Sequence, residues 1–202
     1  MVIKNRRLIK TIYIPKAITR EGMSPGDKIL DIGCATGHFL NECDKKGLVT
    51  YGIDISPEFI KKAKKNTTAK LHVHDLNNGL KIFRANSFNF ITVFDVIEHL
   101  DSPINFLKEC QRILKPKGKI ILTTPNLSSL GHFLTRDKWH GYSDTTHQYL
   151  FTPVSLRFTT EQAGLSVTRL ETPFHPLPRQ LDFLTSKLNL GGQIWLVAQK
   201  KK

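Results

Sequence analysis

The chain is poor in cysteine, in long apolar runs and in acids, and each shortage excludes something. Only Cys34, Cys43 and Cys110 occur in 202 residues, with no C-x-x-C spacing. That odd count argues against structural zinc and for a reducing compartment, so a cytoplasmic protein is expected. No apolar stretch approaches the roughly 20 residues of a membrane span. Lys4, Arg6, Arg7 and Lys10 are followed by no apolar h-region, so no signal peptide is expected. Acids number 17 against 30 Lys and Arg, a net charge of +13. Such an excess can draw nucleic acid through its phosphates, yet the positive charges are dispersed. The densest groups, Lys61, Lys62, Lys64 and Lys65, and the run Lys200 to Lys202, are not interleaved with the aromatics that base stacking needs. They read as solvated faces, which counts against nucleic acid as partner and leaves attraction to an acidic substrate or a membrane surface open.

What is present is the bulk of one soluble domain, 40% hydrophobic and 23% charged. It is organised around Lys28 to Leu40. Ile29-Leu30-Asp31-Ile32 is a short apolar run broken by one carboxylate, and Gly33 and Gly37 behind it let the chain turn tightly against a ligand. His38-Phe39-Leu40 resumes apolar character, so the unit reads strand, glycine loop, helix. The dinucleotide fingerprint G-x-G-x-x-G lays a pyrophosphate on the helix N-terminus. Here Ala35 interrupts the glycines, and Asp31, two residues before Gly33, would repel pyrophosphate and suits a ligand carrying an ammonium group. A second apolar strand, Val49 to Ile55, ends in Asp54, placed where a ribose diol is held.

The loop Asp31-Ile32-Gly33-Cys34-Ala35-Thr36-Gly37 resembles the first motif, D-x-G-C-G-x-G, of class I S-adenosylmethionine-dependent methyltransferases, with Ala35 for the middle glycine and an ordinary backbone expected there. The resemblance covers roughly residues 25 to 171. Asp95-Val96-Ile97-Glu98-His99-Leu100 is similar to the D-V-x-E-H-[LV] signature of a subgroup that includes the O-methyltransferases of ubiquinone biosynthesis. Leu114-Lys115-Pro116-Lys117-Gly118, Thr124-Pro125-Asn126 and the run from His147 to Gly164 resemble the same subgroup. The resemblance implies S-adenosylmethionine as cofactor, held by Asp31, Gly33, Cys34, Ala35, Gly37, Asp54, Ile55, Asp75, Leu76 and Asp95. Asp75 is placed at the adenine amine and Leu76 over the ring. The [DNS]-P-P-[YFW] of nucleic-acid N-methyltransferases is missing.

Taken in order, Ser24 to Asp27 is a turn delivering the first strand, and residues 1 to 27 form an N-terminal arm or short helix ahead of a domain spanning 28 to 202. Ser56-Pro57 starts a helix with Phe59, Ile60 and Ala63 as its buried stripe. Lys70 to His74 is a strand, and so is the apolar run Phe88 to Phe94. Ser102-Pro103 caps a helix that stops at Lys115 to Gly118, and a strand follows at Lys119 to Thr124. Residues 127 to 151 interrupt the βα alternation as a lid or substrate insert rich in Trp, Tyr and His, with a short helix over 128 to 134. A helix from Thr152-Pro153 through Ala163, a strand at 165 to 170, a connection over 172 to 192 with a helix around 181 to 188, and a last strand at 193 to 199 complete the pattern. The fold class is α/β, a Rossmann-like doubly wound sheet of about seven strands, mostly parallel; an antiparallel last strand is implied by the resemblance alone.

Methyl transfer to a hydroxyl is helped by a general base, and the candidates are His147, in the aromatic insert, and His99. Tyr13, Trp139 and Tyr142 are candidate acceptor contacts. His72 and His74 share a strand face without a third ligand at suitable spacing, so no metal is expected. The expected acceptor is a small molecule, lipid or glycan. The competing readings are an RNA methyltransferase or RNA-binding protein, on the charge alone; a NAD-binding oxidoreductase, against which Asp31 counts; and an idle fold that binds cofactor in order to bind a protein. The oligomeric state is not specified by these patterns.

Overall fold

The computed structural model describes residues 14–139, 141–173 and 190–201, with side-chain placement from Ala17 onward. Tyr13 and the helix expected around 181 to 188 lie outside the described residues. In chain order the elements are α1 (Ile14–Arg20), β1 (Lys28–Ile32), α2 (His38–Asp44), β2 (Val49–Asp54), α3 (Pro57–Ala63), β3 (Lys70–Val73), β4 (Phe88–Phe94), α4 (Pro103–Ile113), β5 (Leu114–Pro125), α5 (Leu130–Thr135), α6 (Pro153–Gln162), β6 (Leu165–Glu171) and β7 (Gln193–Lys200), with single 3-10 turns at Leu76–Asn78, Ile97–His99 and Arg136–Lys138.

The strands form one sheet in the order β3-β2-β1-β4-β5-β7-β6. Pairing is parallel from β3 to β5, and β7 runs antiparallel between β5 and β6. The chain order reverses between β1 and β4, so a crevice opens above their C-terminal ends, directly over the glycine loop.

Strand alternation sends side chains to two faces, and both are covered. Leu30, Ile32, Ile91, Val93, Ile120 and Leu122 pack with Phe106, Leu107, Cys110 and Ile113 of α4 and Leu156 of α6. The alternate residues Ile29, Phe90, Phe94, Ile121, Trp195 and Val197 pack with Ala17 and Ile18 of α1 and Phe39 and Cys43 of α2. The described part of the expected arm is therefore built into the domain through α1. Bidentate bonds of 2.5 and 2.9 Å from Arg20 to Glu171 tie that helix to β6.

Three local expectations are corrected. Phe59 is 42% exposed, and only Ile60 and Ala63 of α3 are buried. β5 starts at Leu114 instead of Lys119, because Leu114 pairs with Phe88 before a bulge absorbs Lys115 to Gly118. The short insert helix begins at Leu130, capped by the Ser129 side chain, which accepts from the His132 amide.

Candidate active site

The loop after β1 is held from below. Gly33 and Cys34 donate backbone amides to the Ile53 carbonyl at 2.8 and 3.0 Å, and Gly37 to the Cys34 carbonyl at 2.9 Å. Ala35 donates its amide to Asp54 Oδ2 at 2.9 Å, and the Ser56 amide reaches Oδ1 of the same carboxylate at 2.9 Å. Asp54 thus clamps the loop to the start of α3. The ordinary backbone expected at Ala35 is not found: its φ is +47°, the left-handed region, because the clamp requires that turn of a residue with a Cβ.

Asp31 is the fourth of five β1 residues. It is buried against Thr92, whose hydroxyl donates to Oδ1 at 2.8 Å, so it lies beneath the loop and not at the strand tip. Cys34 is buried, and burial together with the nearby Asp31, Asp44 and Glu42 carboxylates pushes the Cys43 thiol well up. Cys34, Cys43 and Cys110 are all buried and form no disulfide. Asp75 caps the 3-10 turn by accepting from the Asn77 amide at 3.0 Å, and Leu76 packs against the core. Asp95 follows β4 with φ +53°, and its Oδ1 accepts from the Thr123 hydroxyl at 3.0 Å and from the Gln193 side-chain amide. Gln193 gives no sequence signal of its own; the antiparallel β7 brings it to this tip.

Asp54, Asp75 and Asp95 stand at the ends of β2, β3 and β4 with no Lys or Arg partner among the described residues, in a chain of charge +13. Ile55, next to Asp54, is 67% exposed, and Val73 is 50% exposed at the end of β3. Acids without basic partners beside uncovered apolar side chains fit a cationic ligand with a flat ring, and fit a pyrophosphate poorly.

The second part of the site is a corner between the β4 loop and the insert. The Gln148 and Tyr149 amides both donate to the Glu98 carbonyl, at 2.8 and 3.1 Å, which brings His147 beside His99 with ring centroids 4.7 Å apart. Glu98 is buried, and Thr124 donates to its Oε2 at 3.0 Å. Glu98, His99 and His147 each offer one donor atom, all within 4.8 Å of one another. The sequence pairs two possible ligands only at His72 and His74; among the described residues the fold instead brings together these three, able by distance to share a proton or a small cation. Glu98 was visible as part of the motif, but nothing in the sequence tied it to His147.

Trp139 and Tyr142 do not line the corner directly. Trp139 is 2% exposed, edge-on to His132 and Tyr142 at 5.1 and 5.4 Å, and supports the insert from beneath. Tyr142 bonds His132 at 3.1 Å and lines a cavity of about 670 Å³ with Leu127, Phe133, Arg136 and Asp137. Gly141, its chain neighbour, accepts from His147, which ties the segment carrying Tyr142 to the corner.

This crevice, with acids at successive strand ends beside a histidine corner, defines a nucleotide-type α/β enzyme fold. The methyltransferase domain family matches residues 6–170, and the chain belongs to it. A ubiquinone biosynthesis O-methyltransferase of Coxiella burnetii is 26% identical over 184 residues, covering 86% of this chain and 77% of the relative. Among solved structures, a chain described as a methyltransferase in complex with the Trm112 methyltransferase activator of Haloferax volcanii superposes with a TM-score of 0.77 at 19% identity, covering 98% and 94% of the two chains. A methyltransferase from Archaeoglobus fulgidus gives 0.71 at 22% identity, covering 97% and 99%. The protein is a class I S-adenosylmethionine-dependent methyltransferase with the seven-stranded sheet of that class. No described helix is long and apolar enough to cross a membrane.

Proposed function

We propose that the chain methylates a hydroxyl of a small organic acceptor, lipid or glycan, with S-adenosylmethionine lying over Gly33 to Gly37. The observation that carries this reading is the set of acids at the strand ends, Asp54, Asp75 and Asp95, that no basic side chain among the described residues neutralises. Asp54 and Ile55 would hold the ribose and one ring face, Asp75 and Leu76 the adenine, and Gly33, Cys34, Ala35, Gly37 and Asp95 the amino-acid end, above the buried Asp31. Bound there, the cofactor supplies an electrophilic methyl group. The chain's own tasks are to exclude water, to orient the acceptor and to take its proton. His99 and His147 lie where the β4 loop meets the insert, and the adjoining cavity, with Tyr142 in its wall, is of ligand size. The name of the Coxiella relative supports a hydroxyl as the methylated group.

The test is release of S-adenosylhomocysteine across hydroxylated quinones, sugars, nucleotide sugars and lipids, with His147→Ala and His99→Ala in parallel. Loss of turnover in at least one variant is expected; full turnover by both would remove the corner from the chemistry. The charge of +13 favours a second reading, an RNA methyltransferase. Tight RNA binding with a steep salt slope at physiological salt would support it over the first.

A further inference from the structure

We propose that Asp144 and Thr146 are positioning residues that fix His99 as the tautomer protonated at Nδ1, making its Nε2 the atom that accepts the acceptor's hydroxyl proton. This rests on the O-methylation reading above and adds to it the roles of two further residues.

The hydrogen bonds determine where the protons are. His99 Nδ1 faces two oxygens of one residue, the Thr146 carbonyl at 3.2 Å and the Thr146 hydroxyl at 2.8 Å. A carbonyl only accepts, so the first contact already calls for a hydrogen on Nδ1. The hydroxyl has one proton to give, and Asp144 Oδ1 lies 2.6 Å from it, a distance typical of a bond to a carboxylate. Asp144 is ionised: that hydroxyl bond and a second bond from the Thr146 amide at 3.1 Å hold its carboxyl below the usual range against the opposing effect of burial. With its proton committed to Asp144, the Thr146 oxygen can only accept from His99. The order is therefore His99 Nδ1–H to Thr146 O–H to Asp144, and the lone pair of His99 sits on Nε2.

His147 is set the same way. Its Nδ1 lies 2.7 Å from the Gly141 carbonyl and so carries the hydrogen. Its side chain is 5% exposed, and its Nε2 is buried without a hydrogen bond among the described residues, 3.9 Å from Asp144 Oδ2. His147 is thereby a shielded wall of the corner, while His99 is half-buried and can meet an acceptor. When the acceptor's O–H bond breaks, the proton forms an N–H bond at His99 Nε2. The imidazolium so made is balanced by Asp144 through Thr146, and the proton passes to water after product leaves.

The experiment uses the full chain labelled with 15N, with long-range proton–nitrogen spectra of the histidine rings assigned through His99→Gln. At pH 8 His99 should show a protonated Nδ1 and an unprotonated Nε2. Thr146→Val should convert that signature to a tautomer mixture, Asp144→Asn should shift it in the same direction, and Thr146→Ser should restore it; thermal unfolding identifies any variant that does not fold, and Thr146→Ser then carries the comparison. With an acceptor that turns over, Thr146→Val should lower kcat by on the order of ten- to a hundredfold with KM little changed. A His99 protonated at Nε2 in the wild type, a signature indifferent to both losses, or a stoichiometric divalent metal found in the purified chain and holding the Nε2 atoms would each overturn the proposal. Calorimetry with S-adenosylhomocysteine on the same samples separates the two levels. Binding with the wrong tautomer defeats this inference alone, and the right tautomer without binding defeats the methyltransfer reading alone.

Discussion

Replacing Ala35 by glycine should stabilise the protein. Ala35 is held at φ +47° because its amide must reach Asp54 Oδ2. The left-handed conformation costs an L-residue about 1–2 kcal/mol, and glycine escapes that cost but loses about 0.5–1 kcal/mol more conformational freedom on folding. The difference runs from about 0 to 1.5 kcal/mol, a net gain centred on ~0.75 kcal/mol. Urea unfolding at pH 7 should show it as a midpoint raised by a few tenths of a molar at unchanged slope, since slopes run about 1–3 kcal/mol/M. Ala35→Val should move the midpoint the other way, because a β-branched side chain tolerates positive φ still less. The clamp itself is untouched by the glycine, so affinity for S-adenosylhomocysteine should stay as in the wild type. If Ala35→Gly lowered stability, or if Ala35→Val were neutral, residue 35 would not occupy the left-handed region and the account of the loop would fail.

Asp54→Ala should weaken S-adenosylhomocysteine binding by about 1–3 kcal/mol in calorimetry, since a charged acceptor is lost from both the ribose position and the clamp; an unaltered Kd would remove Asp54 from the site. Asp44 links the end of α2 to β2 and to the turn after α3: burial tends to raise its pKa, but bonds from Thr50, Thr67 and Thr68 outweigh that and hold its carboxyl below the ordinary 3.8. A depressed folded pKa contributes stability above the unfolded value and loses it as pH falls through the folded one. Asp44→Asn should therefore cost about 0.5–1 kcal/mol at pH 7, since solvent screens this partly exposed carboxylate, and lose less than the wild type on acidification below pH 4. Equal acid sensitivity of the two proteins in urea titrations would contradict that assignment.

The glycine loop, the strand-end acids and the βα alternation could be read directly from the chain, because each is a local pattern: apolar runs of strand length, glycines where the backbone turns, and a carboxylate after each run. Local patterning also carried the helix starts at Pro57, Pro103 and Pro153, where proline occupies the first helical turn. It failed where two distant segments set the outcome. The conformation of Ala35 depends on an acid nineteen residues away, and the depth of Asp31 depends on Thr92 across the β1–β4 pair.

The sequence alone determined the α/β class, the glycine loop and the acids at the strand ends, since those follow from residue type and short spacing. Only the tertiary structure decided that β7 lies antiparallel between β5 and β6 and so delivers Gln193 to Asp95. It also decided that the Glu98 carbonyl pins the insert, so that His147, Thr146 and Asp144 close around His99. Hydrogen-bond direction needs a partner's position, and those partners lie more than forty residues apart along the chain.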